Sequence, residues 1–259
     1  MQNKALLPGA ALLAALSGCV SETSYVGAGP QPRDAVFTAS DAAVTRMNLG
    51  LEYLRRGDVE QAKFNLDKAL FQDPGNPDIH LAKAWFYQSV SEFDNAEKSY
   101  RKLLKLSPNH GDGLNNYGVF LCARERFDEA DVMFRKAVVV PGYVQVADTY
   151  ENAALCAMQA GRQEQALGYY QRALEYNPAK SRSLLGAAEI LVIQGDNVVA
   201  REYINRYQAE HQPSPQSLWL TVRTAEELGM IAQAQQAGAD LVRLFPGSEQ
   251  AKRFLANDY

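Results

Sequence analysis

The chain has 259 residues, 47% hydrophobic and 22% charged, which suits one or two ordinary folded domains and excludes a disordered composition. Net charge is −4 and the isoelectric point is about 5.5. Lys and Arg are scattered among acids at helical spacing, the pattern of solvated helix faces, so no basic stripe marks a nucleic-acid binder and none is expected as a partner.

The chain opens MQNKALLPGAALLAALSGC: Lys4 is a positive flank and Ala5–Leu16 is an apolar run of twelve residues. That run is too short to span about 30 Å of hydrocarbon as a helix, so it reads as an export signal, residues 1–18, and is set aside from the fold. Leu16-Ser17-Gly18-Cys19 resembles the bacterial lipobox. The resemblance implies that the Cys19 sulfur receives a diacylglyceryl group, that the signal is cut before it, and that the new amine is acylated. Three acyl chains exceed the two signals needed for stable anchoring. Val20 is not the Asp that retains such lipoproteins in the inner membrane, which implies the periplasmic face of the outer membrane. After Cys19, residues 20–40 carry Gly, Pro and Ser with no helical period, so 19–40 reads as the lipidated cysteine and a flexible tether.

The prolines that follow give a frame. Pro74 and Pro108 are 34 apart, Pro178 comes 70 further on and Pro246 another 68. Cutting accordingly gives repeats at 43–76, 77–110, 111–146, 147–180, 181–214 and 215–248, the third longer by two residues around Pro141-Gly142-Tyr143. Stacking should be loosest there. Position 8 is small in five repeats (Gly50, Ala84, Gly118, Ala154, Ala188) and departs at Val222. Position 20 is alanine in all six: Ala62, Ala96, Ala130, Ala166, Ala200 and Ala234. Position 24 is a bulky knob (Leu66, Tyr100, Phe134, Tyr170, Ile204) that departs at Gly238. Gly57, Gly161, Gly195 and Gly229 sit where first helices end, a place suited to a left-handed cap. This pattern resembles the tetratricopeptide repeat (TPR). It predicts an all-α, right-handed superhelical solenoid of about six helix pairs over 43–259, with 249–259 a short capping helix giving the end a polar face.

Chemistry is sparse along these repeats. His80, His110 and His211 fall in separate repeats, with no HExxH, CxxC, GxSxG, P-loop or GxGxxG. No catalysis, cofactor, metal site or small-molecule substrate is expected. In stacked TPRs the first helices line an inner groove, and positions 2, 5, 9 and 12 are expected to face it. Repeat 1 gives Val44, Met47, Leu51 and Leu54, and repeat 2 gives Asp78, Leu81, Trp85 and Gln88. Repeat 3 gives Asp112, Asn115, Val119 and Cys122, with Asn116 beside them, and repeat 4 gives Asp148, Glu151, Leu155 and Met158. Met47, Leu51, Leu54, Trp85, Gln88, Asn115 and Asn116 are the candidate protein-binding residues. The cationic carboxylate clamp of chaperone-binding TPRs is missing, since its places hold Met47, Leu51, Ala82, Asp112 and Asn116. An apolar or amphipathic segment is therefore the expected ligand, although some of these side chains, Leu51 and Leu81 among them, also suit packing between repeats.

Beyond Cys19, two cysteines remain. Cys122 and Cys156 lie at positions 12 and 10 of adjacent first helices, whose axes should run about 8–10 Å apart. An oxidising compartment favours a disulfide between them, and the spacing permits one without requiring it. Two buried thiols acting as small apolar residues are the alternative.

The string Asn115-Asn116-Tyr117-Gly118 with Phe120-Leu121-Cys122, then Tyr150-Glu151-Asn152-Ala153 with Leu155-Cys156-Ala157, resembles the type IV pilus biogenesis and stability family PilF/PilW, as does Arg243-Leu244-Phe245-Pro246-Gly247-Ser248. The resemblance implies an outer-membrane pilotin. Such a protein binds the secretin subunit of the pilus channel and promotes its localisation and multimerisation. A general periplasmic TPR adaptor for peptidoglycan enzymes or β-barrel assembly factors is the alternative.

Overall fold

A computed structural model describes residues 38–257. The export signal, Cys19 and nearly all of the tether lie outside the described residues. Helices pair in chain order: α1 (Ala39–Arg55) with α2 (Val59–Gln72), α3 (Pro77–Ser89) with α4 (Phe93–Leu106), and α5 (Gly111–Ala123) with α6 (Phe127–Ala137). Then come α7 (Val146–Gln159) with α8 (Gln163–Tyr176), α9 (Ser181–Ile193) with α10 (Asn197–Glu210), and α11 (Pro215–Glu227) with α12 (Ile231–Leu244). A last short helix, α13 (Glu249–Leu255), closes the array. The described residues contain no strand, and the six pairs stack as a superhelical TPR solenoid.

Helix α1 starts inside the segment expected as tether. Thr38 and Asp41 form a capping box: the Thr38 hydroxyl accepts from the Asp41 N–H at 3.1 Å, and the Asp41 carboxylate accepts from the Thr38 N–H at 2.9 Å. Two of the orphan donors of the first turn are thereby satisfied, which places the helix start at Ala39, two residues inside the segment 19–40.

The pairs hold together as the repeat pattern requires. The position-20 alanines are fully or almost fully buried, so the two helices approach with only a methyl between them. Position 24 fills the space above. A Cβ on Gly118 would lie 2.6 Å from the Phe134 ring, so only glycine leaves room for that knob. Leu66, Tyr100, Phe134 and Ile204 are essentially inaccessible to water, and each contributes roughly 1.5–3 kcal/mol by burial.

Between the helices of every pair, position 15 takes a left-handed conformation. It is glycine at Gly57, Gly161, Gly195 and Gly229, with φ between 69° and 81°, but Ser91 and Glu125 adopt φ 60° at the same place. The next residue's N–H then reaches back five residues, as from Asp58 to the Tyr53 carbonyl at 2.9 Å and from Arg126 to Leu121 at 2.9 Å. This is the Schellman closure of an α-helix.

Two places depart from the pattern. In the third repeat α6 is short, and the chain turns through Gly142 at φ 76°. The Tyr143 ring then packs where a Gly111 side chain would otherwise stand, and its hydroxyl bonds the Thr149 hydroxyl at 2.9 Å. The insertion is thus packed into the seam between repeats 3 and 4, contrary to the loose stacking expected of it. In the sixth repeat, Gly238 replaces the position-24 knob and the Phe254 ring of α13 occupies its place. That ring joins a cluster with Leu218, Trp219, Val222 and Leu241.

Candidate functional site

First helices of successive repeats pack side by side, α1 on α3, α5 on α7 and α9 on α11, and make the inner wall. Position 5 lies in the seams of that wall rather than open to the groove. Leu81 is buried in the largest core cluster. Asn115 is only 6% exposed, and its Oδ1 accepts from Asn152 Nδ2 at 3.0 Å. Glu151 is buried too, accepting from the Ser183 hydroxyl at 2.8 Å, with Lys180 Nζ 3.5 Å away. The expectation that Asn115 lines an open groove is therefore corrected. An unpaired buried amide or carboxylate is costly, so these groups bond across the seam instead.

Cys122 and Cys156 lie in the same seam, both buried, and form a disulfide with Cα atoms 5.8 Å apart. Together with the Asn115–Asn152 bond it ties α5 to α7 at two heights.

Other candidates divide between packing and exposure. Met47, Leu51 and Leu54 are half-buried against Ala62, Leu66, Ala82 and Phe86, so they bind repeat 1 to repeat 2 while keeping part of their surface in water. Gln88 donates to the Tyr100 hydroxyl at 2.7 Å, and burial pushes that phenol well above its usual range. Asn116 donates to the Asp112 carbonyl at 2.7 Å within its own helix.

Position 9 is where the wall opens. Trp85 is 39% exposed and Val119 42%, flanked by half-buried Leu51 and Leu155 in the same register. In repeats 5 and 6 that register holds Glu189 and Arg223. At position 9 the first four repeats are therefore apolar and the last two charged.

Titratable groups near the wall are structural. His80 is buried and its Nε2 lies 3.0 Å from the Pro74 carbonyl, which makes Nε2 the donor; burial lowers its pKa and keeps it neutral. Burial pushes the Glu97 carboxyl up, but hydrogen bonds from Arg126 at 2.8 Å and Tyr117 at 3.0 Å outweigh it and hold the pKa below the usual range. Among the described residues, no three of His, Cys, Asp or Glu are grouped so as to hold a metal.

Helix pairs with a close contact at positions 8 and 20, stacked around an open inner wall, define a TPR scaffold, a class that mediates protein–protein interaction. Tetratricopeptide-repeat profiles match residues 43–76, 77–110 and 152–217. The type IV pilus assembly protein PilF of Pseudomonas aeruginosa is 32% identical over 245 residues, covering 95% of both chains. An uncharacterised protein of Haemophilus influenzae is 40% identical over 159 residues, 61% of this chain and 81% of its own. The solved structure of Pseudomonas aeruginosa PilF matches with a TM-score of 0.73 and 33% identity, over 85% of this chain and 99% of that one. That of PilW, a type IV pilus biogenesis factor, matches with a TM-score of 0.69 and 30% identity, over 82% and 98%. The chain belongs to the PilF/PilW family of type IV pilus biogenesis TPR proteins.

Proposed function

We propose that the protein is an outer-membrane pilotin, a lipid-anchored scaffold that binds an apolar segment of the pilus secretin subunit and promotes its delivery and multimerisation. The observation that carries this reading is the position-9 row, where Trp85 and Val119 face water between Leu51 and Leu155. Contiguous exposed apolar surface on a soluble scaffold marks a partner site, and an amphipathic segment laid along the row covers it. Family membership supplies the pilus context. Cys19 after Leu16-Ser17-Gly18 supplies the anchor, and the disulfide suits a compartment beyond the inner membrane.

Trp85→Glu tests the groove. An unpaired charge buried against an apolar segment costs several kcal/mol, so the variant should stop secretin multimers forming while its circular dichroism stays native. Normal multimers on a denaturing gel from a folded variant would remove the row as the site. Cys19→Ser tests the anchor separately: the solenoid should fold and leave the outer-membrane fraction, and a variant that still sediments with that fraction defeats the lipid assignment.

A further inference from the structure

The outer wall is made by the second helices, and positions 22, 26 and 29 of each lie on one face, since they are four and three residues apart. In repeat 1 they are Phe64, Lys68 and Phe71. In repeat 2 they are Lys98, Lys102 and Lys105, and in repeat 3 Val132, Lys136 and Val139. All nine are exposed, Phe71 to 85% and Val139 to 75%. None of the five lysines has an ion-pair partner among the described residues, and Lys68 sits over the Phe64 ring at 5.7 Å. Successive repeats present these positions in the same register, so five lysines and four apolar side chains share the wall of repeats 1–3; exposed Glu60, Asp94 and Asp128 stand one turn back at position 18, and Asp67 is paired with Lys63 and Lys83. The same positions in repeats 4–6 carry Glu175, Glu202 and Asp240 against Arg172, Arg206 and Arg243, and no net charge.

From this lattice we infer that the outer wall of repeats 1–3 is a docking surface for a bilayer bearing anionic phospholipid. The chain as a whole is acidic, with net charge −4, and repeats 1–3 hold equal numbers of acids and bases, so the local lysine face, and not net charge, orients the molecule against an anionic surface. Exposed phenylalanine and valine sink into the headgroup boundary, and lysine stems follow them while their ammonium groups stay with the phosphates. An acidic protein partner would satisfy the lysines and leave Phe71 and Val139 with no apolar match. No described helix is long and apolar enough to cross a membrane, so the contact is at the surface. Docking on this wall turns the inner wall, with Trp85 and Val119, away from the lipid.

The test uses residues 38–259, which contain every core cluster and carry no lipid, so its failure leaves the Cys19 assignment untouched. Sedimentation with vesicles of phosphatidylglycerol and phosphatidylethanolamine in equal parts should retain the protein at low salt, and phosphatidylcholine vesicles should not. Lys98→Glu/Lys102→Glu/Lys105→Glu should weaken retention by roughly a hundredfold or more, at about fivefold per lysine. Phe64→Ser/Phe71→Ser should weaken it at unchanged charge. Arg206→Glu/Arg243→Glu, in the same register of repeats 5 and 6, should leave it unaltered. Circular dichroism shows whether each variant is folded. Free glycerol phosphate should not release the protein. Release by it would replace the bilayer with a headgroup site, and equal sedimentation of the triple variant or none of the parent would overturn the proposal.

Discussion

The seam between repeats 3 and 4 and the end of repeat 6 both break the repeat pattern, and the chain repairs them by different means. At the seam an insertion interrupts the regular stacking. It is closed by a disulfide, a hydrogen bond between the Asn152 and Asn115 side chains and the Tyr143 ring, all linking parts of the chain about one repeat apart or less. At the end, the missing position-24 knob is replaced by a phenylalanine from a different helix, packed among apolar side chains. A solenoid whose stability is a sum of nearest-neighbour terms has no distant contacts to absorb a local defect. Each irregularity therefore needs a local substitute, and a mid-array seam, which must transmit coupling both ways, has the covalent one.

Breaking the covalent tie should have the largest effect. Closing a loop between residues 34 apart is worth about 3–4 kcal/mol in the chain-entropy model. Cys122→Ala/Cys156→Ala should therefore lower stability by that order and split denaturant unfolding into two transitions, repeats 1–3 and 4–6. A single transition with an unchanged midpoint would mean that the Asn115–Asn152 hydrogen bond and Tyr143 suffice. Next comes the plug. Phe254→Ala should cost about 2–3 kcal/mol, below the full value for a buried phenylalanine because the ring is only partly covered. Adding Gly238→Leu to that variant should restore much of the loss by rebuilding the knob from its usual position, whereas Gly238→Leu alone should destabilise by collision with the ring. Additive losses in the double variant would show that the two side chains do not share the space. Smallest is an irregularity that nothing repairs: Ser91 and Glu125 hold left-handed turns where the other repeats have glycine. Ser91→Gly and Glu125→Gly should each raise stability by about 0.5–1 kcal/mol, read as an upward shift of Tm, and a decrease would indicate that their side chains help fix the turn.

Most of the fold is legible in the sequence because close helix contact tolerates only small residues, and an alanine at one phase of a 34-residue period announces it six times. The six-repeat frame, the terminal helix and the glycine turns follow directly. Departures are legible only as gaps: Gly238 is visibly no knob, but nothing local to it points to Phe254. The groove is legible in part. A helical wheel assigns position 5 to the inner face, yet neighbouring first helices roll against each other and close over it, which buries Leu81, Asn115 and Glu151 and leaves Trp85 and Val119 open. The lysine lattice escapes a reading along the chain, where its members stand among acids. It emerges only when residues are sorted by repeat position, because stacking brings one register together.

Helix α13 also sets the direction in which such an array can extend. Repeat scaffolds join head to tail when the last face of one copy accepts the first face of another, a heterologous contact that does not close on itself and yields open filaments. Here Ala251 and Phe254 lie on the α11–α12 face that a further first helix would occupy, and Arg253 covers the Trp219 indole at 4.8 Å. The final face is sealed by the chain's own residues, so copies of this scaffold are kept from joining head to tail through it, however crowded they are.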